Sequence, residues 1–144
     1  MSIISLAERA AVVGTIDPQT VANTELFTDV VDMSKFLAVA GVALLGNMAS
    51  ETITFKAYTC DSDGSNSVAL KTSALTASAS ANDNTQLVIG VRAEELLAAG
   101  KRYCRFGLVT GGATGGPASV VVLADPPRIG PATLHDLATV AVTL

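Results

Sequence analysis

Tryptophan is absent from this chain of 144 residues, and only six residues are aromatic. So few rings leave no stacking platform for nucleic-acid bases and a thin supply for holding sugars. Charge is scarce as well: 15% of residues, with nine basic against thirteen acidic and a net charge of −4. Binding a phosphate backbone depends on Lys and Arg neutralising it, so this balance excludes nucleic acid as a partner. The longest apolar run, residues 36–45, is too short to cross a bilayer, which takes about 18 residues. No membrane span is therefore expected.

Histidine occurs once, at His135, and cysteine twice, at Cys60 and Cys104. No zinc or redox motif can be assembled from two distant cysteines and one histidine, and buried free thiols are the expectation. No serine sits in a G-x-S-x-G context, so a nucleophilic triad has neither elbow nor base. Glu94 and Glu95 are adjacent on an expected helix and point about 100° apart, which suits a charged face better than shared-proton chemistry. The Asp61-Ser62-Asp63-Gly64-Ser65-Asn66 run has oxygen ligands, but its glycine is fourth and Thr72 stands twelfth, where a calcium loop needs Gly at six and Glu at twelve. A polar turn is expected there. The glycines of 111–116 have no following Lys-Ser/Thr and lead into a strand, so they supply turns and hold no phosphate. No enzyme, cofactor or metal is expected.

What the chain has in quantity is small side chains. Apolar residues make up 49% of it, and Ala, Gly, Ser and Thr together fill 61 positions. Low net charge with this much apolar surface excludes disorder, and the length is that of one domain able to bury a core without disulfides. The small-residue bias suits closely spaced sheets and flat contacts more than a ligand pocket.

Periodicity then places the elements. Residues 1–9 have the spacing of about two helical turns. Residues 11–16 read as a strand stopped by Asp17-Pro18, and 25–31 as one broken at Asp32-Met33-Ser34-Lys35, where short polar side chains turn the chain. Residues 36–45 are apolar on both alternating faces, which predicts a strand covered on both sides. Residues 52–60 alternate cleanly, as do 101–110, and 86–92 form another strand. Residues 67–70 read as a short strand, and the Ser/Thr/Ala-rich tract 71–84 as a surface loop or weak strand. Residues 93–99 form a short helix closed by Gly100. The glycines of 111–116 join 101–110 to 119–123 as a hairpin, and 139–143 is an edge-strand candidate. The expected fold is all-β, a β-sandwich or jelly-roll-like domain with one short helix and extended terminal segments. The expected division is an N-terminal arm over 1–24 and the sandwich over 25–144, including the Pro-rich C-terminal tail. The terminal segments carry Ile3, Ile4, Leu6, Val12 and Val13 at one end and Ile129, Leu134, Leu137 and Val140 at the other. Such tails suit strand addition or groove binding on a neighbouring subunit. With no basic stretch leading an apolar one at the N-terminus, no secretory signal is expected, and synthesis in the cytoplasm follows.

Several segments resemble one family. They are Ser5-Leu6-Ala7-Glu8-Arg9, Ile16-Asp17-Pro18, the stretch from Thr28 to Phe36, Ala81-Asn82-Asp83-Asn84, the stretch from Val91 to Leu96, Arg128-Ile129-Gly130-Pro131-Ala132 and Asp136-Leu137. Together they are similar to head decoration (cement) proteins of tailed bacteriophages, although related sequences often carry an aromatic where Val30 stands. The resemblance implies a structural virion protein made in the host bacterial cytoplasm, a homotrimer on the head exterior tying neighbouring major capsid protein subunits together. It implies an interface that includes Ile3, Leu6, Arg9, Val12, Val13, Asp17, Arg128 and His135. The arm would run along the capsid, with Arg9 and Arg128 facing acidic capsid residues. A head–tail connector or tail subunit, and a glycan- or host-binding sandwich, are the alternatives.

Overall fold

The computed structural model describes residues 5–48, 52–75, 83–111 and 115–125. They fold into nine strands and two short helices: α1 (Leu6–Arg9), β1 (Ala11–Val21), β2 (Leu26–Phe27), β3 (Val31–Asp32), β4 (Ala38–Leu45), β5 (Ile53–Cys60), β6 (Val68–Leu75), β7 (Gln86–Arg92), α2 (Ala93–Ala98), β8 (Tyr103–Thr110) and β9 (Gly116–Ala124). One sheet has the order β1-β9-β4-β7, and the other β2-β8-β5-β6 with β3 also on β8. β2 and β3 are two halves of one interrupted strand on β8. With them taken together, the two sheets are the paired four-stranded layers of a jelly roll, the expected fold class.

The interruption has a side-chain remedy. The Phe106 N–H donates to the Thr28 hydroxyl at 3.0 Å, while the Thr28 N–H donates to the Phe106 carbonyl at 2.9 Å. Thr28 thus carries the ladder across the gap, and Asp32 ends it as expected: its carboxylate accepts from the Ser34 N–H at 3.0 Å. Helix α2 closes at Gly100 (φ +70°), with the Gly100 and Lys101 amides donating to the Leu97 and Leu96 carbonyls, each at 2.9 Å.

The core lies between the sheets, and its centre is an aromatic pair. Phe55 on β5 and Phe106 on β8 stack with centroids 5.6 Å apart and planes 26° from parallel, and both are fully buried. Gly41 on β4 faces them from the other sheet. A Cβ there would lie 2.6 Å from the Phe106 ring and 2.9 Å from the Phe55 ring, so only glycine lets the two layers close over the rings. Val39, Ala43, Ile89, Val91, Val120 and Val122 fill the space around them.

Several expectations are corrected. β1 does not stop at Asp17-Pro18 but runs to Val21. It is an edge strand with a register shift between Ile16 and Gln19, so the missing Pro18 N–H falls in a bulge. The expected arm over 1–24 therefore does not stand apart, since Ala11, Ile16 and Val21 are buried in the core and β1 pairs along β9. The tract from residue 71, expected as a surface loop or weak strand, is a strand as far as Leu75, where β6 pairs with β5. The glycines of 111–116 do not close a hairpin. β8 and β9 lie in different sheets, and the chain crosses the sandwich between them, with Gly115 (φ +63°) against the Val21 carbonyl, where a Cβ would clash at 2.0 Å. The edge strand expected over 139–143 lies outside the described residues.

Replacing Gly41 with Ala is expected to cost about 1–3 kcal/mol through overpacking of the phenyl pair, read as a melting temperature lowered by roughly 3–10 °C. Removing residues 1–10 is expected to leave a cooperative denaturant transition. Removing residues 1–17 takes seven of the eleven residues of β1 and is expected to abolish it.

Candidate interaction surface

Among the described residues, the outer face of the β1-β9-β4-β7 sheet gathers several exposed large hydrophobic side chains. Side chains in β4 alternate between the core (Val39, Ala43, Leu45) and the outside (Ala38, Ala40, Val42, Leu44). This corrects the expectation that residues 36–45 are covered on both sides: among the described residues only one face has a cover. Strand register gathers the outward residues into rows. Thr15, Val121, Val42 and Val88 form one row, Val12, Leu123, Ala40 and Gly90 the next, and Leu44 lies between Ser119 and Gln86. Val88 is 64% exposed, Leu44 43% and Leu123 37%. Isolated exposed apolar residues are ordinary, whereas contiguous rows of them mark contact surfaces.

One end of this face is a shallow cleft of about 600 Å³. Its floor is Ala38, Ala40, Gly90 and Leu123, and Leu6 of α1 with Ala10, just after it, forms one wall. Leu6 is 68% exposed. Charged groups form the rim and are tied to one another. Arg9 reaches Asp125 at 3.6 Å, Lys71 reaches Glu95 at 3.0 Å, and Arg92 reaches Glu94 at 3.5 Å. The Arg92 N–H also donates to Glu95 at 2.9 Å, and with Lys71 this holds the Glu95 carboxyl below its ordinary range. Pairing at the rim leaves the floor apolar.

The rest of the chemistry is also committed internally. Asp61 accepts from Lys101 at 2.8 Å and from Asn66 at 2.7 Å, and Asp63 accepts from the Ser65 hydroxyl at 2.6 Å, so residues 61–66 are a self-satisfied turn. No group of three or more His, Cys, Asp or Glu is placed to hold a metal among the described residues. Cys60 and Cys104 are buried free thiols. Burial pushes Cys104 up to about 12, which keeps it protonated and unreactive. Tyr58 donates to Glu25, and its pKa is raised by burial first and by that carboxylate second. Arg105 lies 3.8 Å over the Phe27 ring.

Of the residues expected at an interface, Leu6 and Arg9 border the cleft and Val12 stands on the outer face. The Arg9 guanidinium, expected to face a partner's acid, pairs within the chain with Asp125. Val13 packs against the core beside the first β1 register shift, and Asp17 is exposed farther along β1, in the bulged stretch between Ile16 and Gln19. The structure thus brings Leu6, Arg9 and Val12 together and separates them from Asp17. Ile3, Arg128 and His135 lie outside the described residues. Sequence reasoning missed Leu44, Val88 and Leu123. The signal for Leu44 was present in the doubly apolar 36–45 run, whose second face is uncovered among the described residues.

No protein-family model matches the chain, and no curated protein matches its sequence. Among solved structures it is similar to the PBSX exported protein XepA, at 14% identity and a TM-score of 0.58, over 89% of this chain and 40% of that one. This chain thus spans well under half of XepA's length. The SPBc2 prophage-derived protein YomS aligns at 16% identity and a TM-score of 0.49, over 86% of this chain and 98% of that one. The Tobacco streak virus coat protein aligns at 9% and 0.41, over 91% and 96%. At these identities the likeness to XepA is one of fold.

The strongest ion pair stands away from the apolar face. Arg102 holds Asp32 through two hydrogen bonds, at 2.8 and 2.7 Å, and these lower the Asp32 carboxyl from its ordinary 3.8. A depressed folded-state value means the pair's contribution is complete above the unfolded pKa and is lost as pH falls through the folded one. In denaturant titrations, the stability gap between wild type and Asp32→Asn should be constant above about pH 5 and close below about pH 4.

Proposed function

We propose that this protein is a structural component of a tailed-phage virion, a capsid decoration (cement) protein on the outer surface of the head. The observation that carries the reading is the apolar outer face of the β1-β9-β4-β7 sheet with its charges confined to the rim. Such a face is built to be covered by another protein. The resemblance of the chain's motifs to decoration proteins points the same way, as does a fold shared with XepA, a phage-derived protein.

In this reading the face and the cleft beside Leu6 rest on the major capsid protein where its subunits meet. Head expansion or internal DNA pressure must then break the added contacts. Magnitudes bear on the oligomeric state. Burying Leu6, Leu44, Val88 and Leu123 in full would yield about 1.5–3 kcal/mol each at most, and less because some are half-buried already. Association costs about 4–15 kcal/mol. One face alone is therefore a weak attachment, and a homotrimer presenting three faces gains the avidity that stable occupancy needs. Ile3, Val12, Arg128 and His135 remain candidates for the same contact, whereas Val13 and Asp17 are poorly placed for it.

Binding to purified heads stripped of this protein tests the proposal. Wild type should saturate the heads, while Leu44→Asp and Leu123→Asp, which place a charge on an exposed apolar position, should bind at least about tenfold more weakly with unchanged circular dichroism. Equal binding by both variants, or recovery of the protein with tails in place of heads, would refute it.

A further inference from the structure

Each sheet edge but one is blunted. β1 carries two register shifts and Pro18, β2 and β3 are an interrupted strand, and β6 has a shift opposite Ala57/Tyr58. β7 is the exception: seven residues, no proline, no bulge, and a single charged side chain at its end. Its pairing with β4 shows which groups are spare. The Ala93 N–H donates to the Leu37 carbonyl and the Leu45 N–H to the Thr85 carbonyl, both at 2.9 Å. In an antiparallel ladder this alternation turns Leu87, Ile89 and Val91 toward β4 and the backbone groups of Gln86, Val88 and Gly90 outward. Lys71 Nζ covers the Gly90 carbonyl at 2.6 Å. The outward amides and carbonyls of Gln86 and Val88 have no backbone partner among the described residues. Such an edge is a template for another strand.

The chain holds a matching segment. Thr139-Val140-Ala141-Val142-Thr143 is β-branched at four of five positions, uncharged, and free of Gly and Pro. Paired on β7, its two valines would extend the apolar row that ends at the exposed Val88. The described chain ends at Asp125, at the same end of the sheet as Arg92, where the Asp125 N–H donates to Ala38, the register partner of Arg92. Between Asp125 and Thr139 lies a connection carrying Pro126, Pro127 and Pro131. Extended at about 3.1 Å per residue it spans roughly 40 Å. The chain's own β7 edge is two strand spacings away, about 10 Å. A domain of this length is about 37 Å across. A connection of this length can reach the β7 edge of a neighbour, and three prolines among its thirteen residues raise the cost of turning it back to its own edge.

We propose that residues 139–143 of one copy add as an antiparallel strand to the β7 edge of a second copy. The inference does not rest on the virion reading. It makes a head-to-tail contact, in which every copy is donor and acceptor, so the assembly closes only as a ring.

Two full-length variants separate donor from acceptor. Val88→Pro removes an outward N–H and costs no bond to β4, while Val140→Pro disables the donor without touching the sandwich. In sedimentation velocity, wild type should form oligomers, and each variant alone should be monomeric, with its assembly midpoint raised on the order of a hundredfold. An equimolar mixture should form a 1:1 dimer and nothing larger, since only one competent donor–acceptor pair remains. That dimer also shows that Val88→Pro has folded. A monomeric wild type, a Val140→Pro chain that assembles like wild type, or a mixture that stays monomeric would each overturn the proposal. So would tail-dependent protection of the Val88 amide from hydrogen exchange in a monomer, because the strand would then have returned to its own chain.

Discussion

The close approach of the two sheets over the Phe55–Phe106 stack, made possible by Gly41, is the constraint on which the rest of this structure depends. With only six aromatics in the chain, two of them stacked at the centre supply the largest volumes in the core. Small and branched residues suffice around them because the layers are so near. Ala43, Ala118 and Ala124 are buried where a wider sandwich would need larger side chains.

The distribution of charge decides what the surface of this sandwich can do. The described ion pairs sit at turns, at helix α2 and at the rim of the cleft, where they satisfy one another. Exposed pairs of this kind contribute little stability each. Their larger effect is to keep unpaired charge off the outer face of the β1-β9-β4-β7 sheet. That face is apolar because both alternating sets of β4 are apolar, and its neighbours β7 and β9 present Val88, Val121 and Leu123 to it. In the proposed readings, coverage by another molecule would resolve this exposure at the face, and strand pairing would resolve it at the β7 edge. The two surfaces adjoin at Val88.

Most strands were legible because their signals are local. Alternation in 52–60 and 101–110 survives into β5 and β8, and Gly100 ends α2 because a left-handed residue is needed there. Departures arose where local chemistry met a tertiary partner. Asp17-Pro18 is a turn signal in isolation, yet at an edge beside β9 the missing N–H costs nothing and the strand continues through a bulge. The 111–116 glycines are equally suited to a hairpin and a crossover, and only the placement of β9 between β1 and β4 selects the crossover. Thr28 is unremarked as a sequence feature, and its role as a stand-in carbonyl exists only opposite Phe106.

The candidate surface divides the same way. Leu6 and Val12 were visible as apolar residues in a short leading segment, and the structure sets them beside the outer face. Leu44, Val88 and Leu123 come from three strands separated by up to 79 positions in sequence, and nothing short of sheet order brings them together. The sequence by itself determined an all-β chain rich in small residues, with no catalytic pattern and with a strand over 36–45 that is apolar on both faces. Tertiary structure alone decided which face and which edge are uncovered among the described residues. Periodicity records that a residue alternates, whereas exposure depends on what the opposite sheet covers.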